Sequence, residues 1–160
     1  MSKEIQLTHG KVVIVDDADF EWLNQWRWYA VKGGHTWYAK RSICNGKTSK
    51  PISMHRQILG LTFNDGQETD HKNHNGLDNQ RHNLRPCTPS QNQHNQRPKK
   101  DGTSKYKGVS WHTRDARWTV AIEVNDKTIY LGRFRSEKTA ALAYDKAVKK
   151  YFGEFACTNF

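Results

Sequence analysis

The chain has 160 residues, 35% of them hydrophobic, and a net charge of +10 at pH 7. That hydrophobic share is low for one large core, so two modest cores suit it better, with six Trp, six Tyr and six Phe to fill them. The charge favours a polyanionic partner, nucleic acid first, and neither an apolar span nor a basic amphipathic helix argues for a membrane. Residues 1–103 carry 15 Lys and Arg against 10 Asp and Glu, and residues 104–160 carry 11 against 6, so the basicity is not confined to a tail. Cys44, Cys87 and Cys157 form no Cys-x-x-Cys pair, which excludes a four-Cys structural zinc site. They fit a reduced, cytoplasmic protein, and no secretory signal opens the chain.

Residues 5–15 alternate loosely and predict a strand, or a hairpin turning at His9-Gly10. Asp16, Asp17 and Asp19 supply N-cap signals. Phe20, Leu23 and Trp26 follow at helical spacing and predict one short amphipathic helix with a core-facing aromatic stripe. Residues 27–31 and 37–43 flank Gly33-Gly34 and predict a β-hairpin with Lys40 and Arg41 facing outward. Asn45-Gly46-Lys47 marks a further turn. Residues 54–59 read as a strand end leading into a short helix.

The stretch 70–95 is crowded with groups that bind metal or move protons: four His, two Asp and repeated Asn, with Leu77 and Leu84 as anchors. A core cannot be built from these, because each unpaired buried polar group costs roughly 1–3 kcal/mol. The stretch is therefore either a floppy polar loop or a site folded around a ligand. If Asp70-His71 ends one strand and Asn83-Leu84-Arg85 begins another, the loop closes a hairpin. Thr88 and Pro89 then open a helix that brings Asn92 back over Asp70. A carboxylate and an amide oxygen suit Mg²⁺, and a neighbouring His can act as general base on a water.

Asp70-His71, Asn79, Asn83-Leu84-Arg85 and Asn92, preceded by Met54-His55-Arg56, resemble the HNH nuclease motif in its phage and intron-encoded homing form. The resemblance implies a ββα-metal core with His71 as general base and Asn83 orienting it. Asp70 and Asn92 would be ligands of Mg²⁺, or of another divalent cation such as Mn²⁺. Arg56 and Arg85 are the candidates for gripping the scissile phosphate.

Residues 97–104 are polar and basic and predict a linker. Beyond them alternation is clean: 106–111, 117–124 and 127–134 predict three strands, with turns at 113–115 and 125–126. Trp118, Val120, Ile122 and Val124 share one face of the middle strand. Arg117, Thr119, Ala121 and Glu123 share the other. Ser136 opens a helix whose stripe is Ala140, Ala143, Tyr144, Ala147 and Tyr151. A sheet with a helix behind it and a polar, basic free face suits β-sheet readout in the DNA major groove.

Tyr106-Lys107-Gly108-Val109, Arg117-Trp118, residues 129–134, residues 140–145 and Thr158-Asn159-Phe160 resemble the plant APETALA-2/ethylene-response-factor (AP2/ERF) DNA-binding domain. By position, the resemblance implies DNA contacts near Lys107, Ser110, His112, Arg114, Glu123 and Tyr130. Arg117 and Arg133 join them as candidates. Ser110, Glu123 and Tyr130 depart from the plant pattern, so the plant target sequence does not transfer.

The expected fold is α+β: a β-rich start leading into the ββα-metal core over residues 1–96, the linker 97–104, and a three-stranded antiparallel sheet on one helix over 105–160. The expected function is a metal-dependent, sequence-directed DNA endonuclease of the HNH homing type, nicking or cutting both strands. The alternative is a non-catalytic regulator that binds double-stranded DNA. The expected form is a monomer or weak homodimer in the cytoplasm, phage-encoded or in a bacterial host.

Overall fold

The computed structural model describes residues 1–46, 48–63, 65–98 and 102–160. Lys47 of one expected turn, and Lys99, Lys100 and Asp101 of the expected linker, lie outside the described residues. The chain divides into two units, Met1–Asn92 and Gln93–Phe160, each with its own apolar cluster.

In the first unit, β1 (Ser2–Gln6) and β2 (Val12–Asp16) pair antiparallel across a single 3-10 turn at Thr8–Gly10. The alternation of β2 sends Val13 and Val15 fully inside. Helix α1 (Asp17–Asn24) follows and buries Leu23. Asp16 precedes it without capping it. Its carboxylate instead accepts the Arg81 backbone N–H at 2.8 Å and the Gln80 side-chain amide at 3.3 Å. The aromatic stripe departs from the helical reading. Trp26 lies past the helix end and is 46% exposed, whereas Trp28 is 4% exposed and donates its indole N–H to the Leu23 carbonyl at 2.9 Å.

Strands β3 (Tyr29–Gly33), β4 (Thr36–Asn45) and β5 (Thr48–Ser53) form an antiparallel sheet in sequence order. Ala30 and Ala39, cross-strand partners, face the core. Helix α2 (Met54–Ile58) buries Met54 and Ile58 there. Strands β6 (Glu68–His71) and β7 (Leu84–Cys87) pair antiparallel, Asp70 opposite Arg85 and His71 opposite Leu84. Helix α3 (Pro89–His94) opens on a reciprocal cap: the Gln91 N–H donates to the Thr88 hydroxyl at 3.2 Å, and the Thr88 N–H to the Gln91 side-chain carbonyl at 2.9 Å.

In the second unit, β8 (Val109–His112), β9 (Arg117–Val124) and β10 (Lys127–Phe134) form an antiparallel sheet with β9 in the middle. Asn125 and Asp126, both at positive φ, make the two-residue turn between the last two strands. A bulge lies between Tyr130 and Gly132. Helix α4 (Glu137–Phe152) packs Ala140, Ala141, Tyr144 and Val148 against Val109, Val120 and Ile122. The buried stripe is therefore turned from the expected one. Ala141 and Val148 are inside, and Tyr151 is 44% exposed.

Gly108 fixes the start of β8. Its φ is +73°, and a Cβ there would lie 2.0 Å from the Tyr144 ring. The chain end is pinned through the buried Asp145 carboxylate, which accepts the backbone N–H groups of Asn159 (2.8 Å) and Phe160 (3.0 Å) and the Asn159 side-chain amide (2.9 Å). Asn159 Oδ1 in turn accepts the Lys107 N–H at 2.7 Å.

Candidate nucleic-acid interface

The Asn-rich loop between β6 and β7 is folded around its own side chains. Asn83 Oδ1 accepts the Asn73 N–H at 3.0 Å, and Asn83 Nδ2 donates to Asn73 Oδ1 (3.0 Å) and to the Asp78 carbonyl (2.8 Å). Asn73 Oδ1 accepts the Asn75 N–H at 2.8 Å, and Asn75 Oδ1 accepts the Leu77 N–H at 3.1 Å. Such Asx turns let short amides satisfy the backbone locally. The loop also docks on strands. Ile14 N–H donates to the Leu77 carbonyl and Asn79 N–H to the Ile14 carbonyl, both at 2.8 Å. A Cβ at Gly76 would sit 2.4 Å from the Trp37 carbonyl, so the backbone there needs Gly. Outside, Arg81 grips the nearly buried Asp19 with two hydrogen bonds of 2.7 Å. Much of the loop's hydrogen bonding is thus supplied by its own side chains and backbone.

The residues expected to carry nuclease chemistry are engaged in this packing. Asp70 Oδ2 accepts Arg85 Nε at 2.8 Å and Nη2 at 2.6 Å, a buried ion pair. Asn92 turns its amide N–H to Glu68 Oε2 at 2.7 Å. His71 is 6% exposed, and its Nε2 pairs with Asn79 Oδ1 at 2.9 Å. Asn83 braces the loop as described. Tyr38, His55 and His71 pack ring to ring, the two imidazoles 5.1 Å apart and edge-on. Burial, helped by His71, Arg56 and Lys40, pushes the His55 pKa down to about 3. Burial also lowers that of His71, against the opposing pull of Asn79, Asp70 and Asp78.

Among the buried side-chain atoms without a hydrogen-bond partner are His55 Nδ1, Thr69 Oγ1 and Asn79 Nδ2. Arg56 is held by the carbonyls of Gln67 (2.6 Å) and Thr62 and by Asp65 (3.0 Å), tying these residues together instead of facing a phosphate. This residue set does not fit the expected divalent cation. Asp70 is neutralised by Arg85, and Asn92 presents a donor to Glu68. Among the described residues, no group of three or more His, Cys, Asp or Glu is gathered.

The second unit presents its polar groups outward. Opposite the face covered by α4, cross-strand register aligns His112 with Arg117, Ser110 with Thr119, Thr119 with Arg133, Ala121 with Tyr130, and Glu123 with Thr128. Tyr130 is 54% exposed, and Ser110, Glu123, Thr128 and Arg133 are exposed too. Arg114, on the turn between β8 and β9, is exposed. Arg117 donates to the Ala116 carbonyl at 3.2 Å. Asp115, on the same turn, pairs with Arg133, and His112 Nδ1 lies 3.3 Å from the same carboxylate oxygen without hydrogen-bond geometry. Trp111 is on the other face, edge-on to Trp118.

Lys107 differs from its expected role. Half-buried, it donates through Nζ to the carbonyls of His94 and Gln96, each at 2.6 Å, and burial lowers its pKa. His94 stacks on Phe152 with ring centroids 3.6 Å apart. No periodic signal marks this contact, because it joins a helix end to residues 58 positions away.

No family model matches the chain. Over 61 residues, 37% of its length, it is 43% identical to the ethylene-responsive transcription factor WRI1 of Arabidopsis thaliana. It is 44% identical over the same length to the AP2-like ethylene-responsive transcription factor PLT2 of Arabidopsis thaliana. To CRL5 of Oryza sativa subsp. japonica, another AP2-like ethylene-responsive transcription factor, it is 43% identical. The matched stretch covers 14%, 11% and 10% of these relatives.

The relatives overturn the endonuclease expectation: they are transcription factors, and no family model of an HNH nuclease matches. The hydrolase and homing-endonuclease assignments fall with it. The fold is mixed, with antiparallel sheets and few helices, and β6, β7 and α3 follow in order, but no ββα-metal core is shown. Among the described residues no helix is long and apolar enough to cross a membrane. What stands of the two sequence resemblances is the second: part of this chain is homologous to AP2/ERF domains of plant transcription factors.

Proposed function

We propose that this chain is a non-catalytic regulator that binds double-stranded DNA with the free face of the β8–β10 sheet. The observation that carries the proposal is the separation of faces. Every large apolar side chain of β9 turns to α4, while Arg117, Thr119 and their cross-strand partners Ser110, His112 and Arg133 turn away. A three-stranded sheet is narrow enough to enter the major groove, where base edges carry a distinct donor and acceptor pattern. Arg117, Arg133 and Arg114 supply planar donors for guanine edges or phosphates. Ser110, His112 and Tyr130 supply shorter polar contacts. The homology to transcription factors and the net charge of +10 support the same reading. The first unit is given no catalytic role.

Selection of a preferred duplex from a random pool with the full chain, followed by titration at several salt concentrations, tests this. The expected result is preference for duplex DNA over single-stranded RNA, affinity falling steeply with salt, and bound DNA recovered intact. Binding indifferent to salt, or preference for the single strand, would contradict it.

A further inference from the structure

Among the described residues, Asp115 is the acidic side chain placed among the cations at the turn end of the free face. The turn that carries it is tightly set. Ala116 adopts φ +47°, and its N–H donates to the Thr113 carbonyl at 3.3 Å. From there the carboxylate meets Arg133, which lies across the sheet on β10, and approaches His112 on β8. Arg133 and Asp115 keep 49% and 30% of their side-chain surface open, so an incoming polyanion can reach both. In the free protein the Arg133 guanidinium is therefore held by an internal anion.

We infer that Asp115 acts as a stand-in for a DNA phosphate or base acceptor, holding Arg133 so that only a duplex offering a better acceptor at that position draws it away. This rests on the DNA-binding reading of the same face. Its physical basis is competition. A carboxylate at the interface repels any phosphate that approaches without compensating contacts, which lowers affinity for arbitrary sequence more than for the preferred one. Arg133 also loses fewer conformations on binding, because its side chain is already drawn to the free face. Asp115 is thus a specificity-determining residue that need not touch DNA.

The test is affinity of the full chain for a random-sequence duplex and for its selected duplex, with Asp115→Asn, Arg133→Gln and the double variant. Exposed pairs of this kind contribute up to about 1 kcal/mol, so Asp115→Asn should tighten random-sequence binding roughly two- to five-fold. It should also steepen the salt dependence by about one unit as Arg133 joins a phosphate. The selected duplex should gain less, so discrimination falls. In the Arg133→Gln background the gain should shrink toward nothing. A gain of equal size in that background would mean that removing a negative charge is the whole effect, and the inference fails. No gain in the wild-type background also overturns it. Asp115→Glu, which keeps the carboxylate, should bind as the wild type does; if Asp115→Asn is misfolded by circular dichroism, Asp115→Ser replaces it in the cycle. Failure of the wild type to bind any duplex would strike the DNA-binding reading itself, a separable outcome.

Discussion

The loop between β6 and β7 and the free face of the β8–β10 sheet are both rich in polar side chains, yet they use them in opposite ways. In the loop, Asn73, Asn75, Asp78 and Asn83 bond to one another and to the backbone, and Asp70 is closed off by Arg85. On the sheet, alternation, shifted by one residue at the bulge between Tyr130 and Gly132, turns side chains away from the core and leaves Ser110, Tyr130 and Arg133 at the surface. Density of chemically capable residues therefore marks a functional surface only when the fold leaves their polar atoms to solvent. Short amides at close spacing in a loop can turn back on the local backbone, whereas same-face side chains of a paired strand project away from it.

The comparison can be broken most severely at Gly108, where the sheet begins. Gly108→Ala places a methyl group inside the Tyr144 ring and forces a left-handed φ on alanine. The expected loss is about 3 kcal/mol or more in urea unfolding of the second unit. Stability within 0.5 kcal/mol of wild type, roughly the range of neutral surface changes, would contradict the placement of Gly108. On the other side, Asn83→Ala should cost about 2–3 kcal/mol, because it leaves the Asn73 N–H and Asp78 carbonyl without their partner. The same change should leave duplex affinity unaltered if the loop is purely architectural.

A smaller effect sharpens the contrast through pH. His55 and His71 both hold pKa values below the usual range in the folded state, so the unfolded chain takes up protons that the folded chain refuses. Stability of the first unit should be full above about pH 6.5, the ordinary histidine value. It should fall as the pH drops below that, for His55 down to about 3. His55→Gln should flatten the decline between about pH 6.5 and 4.5, before most carboxylates titrate. An unchanged slope would show that His55 is not enclosed as described. The groups facing it are His71, Tyr38, Arg56 and Lys40.

The second unit was legible because its signals are local. The bounds of β9 and β10 and both faces of β9 follow from alternation and turn residues. Strand β8 is shorter than expected, beginning at Val109, because the Lys107 N–H is taken by Asn159 and Gly108 turns the chain. In α4, alternatives separated by one position, Ala140 with Ala141 and Ala147 with Val148, differ only in which way the helix is rotated on the sheet, a tertiary choice. Trp28 displaced Trp26 from the core for the same reason: the indole finds the Leu23 carbonyl only once the chain has left the helix. The loop's pairing is not legible in the sequence, because composition reveals which groups are present but not which long-range partner each will take. Nothing local to Asp70 announces Arg85, fifteen positions later, as its counter-ion.

The most direct test of the central claim removes equal charge from the two sides of the second unit. Arg117→Gln with Arg133→Gln empties the free face, whereas Lys146→Gln with Lys149→Gln removes the same charge from exposed positions on α4. Binding of the full chain to its selected duplex is then measured at one salt concentration. The sheet-face pair should weaken binding by about a hundredfold, as expected for two lost arginine contacts at roughly 1–3 kcal/mol each, and the helix pair by only a few-fold. Equal losses from both pairs would mean that the chain attracts DNA by net charge alone, and the sheet would not be its reading surface.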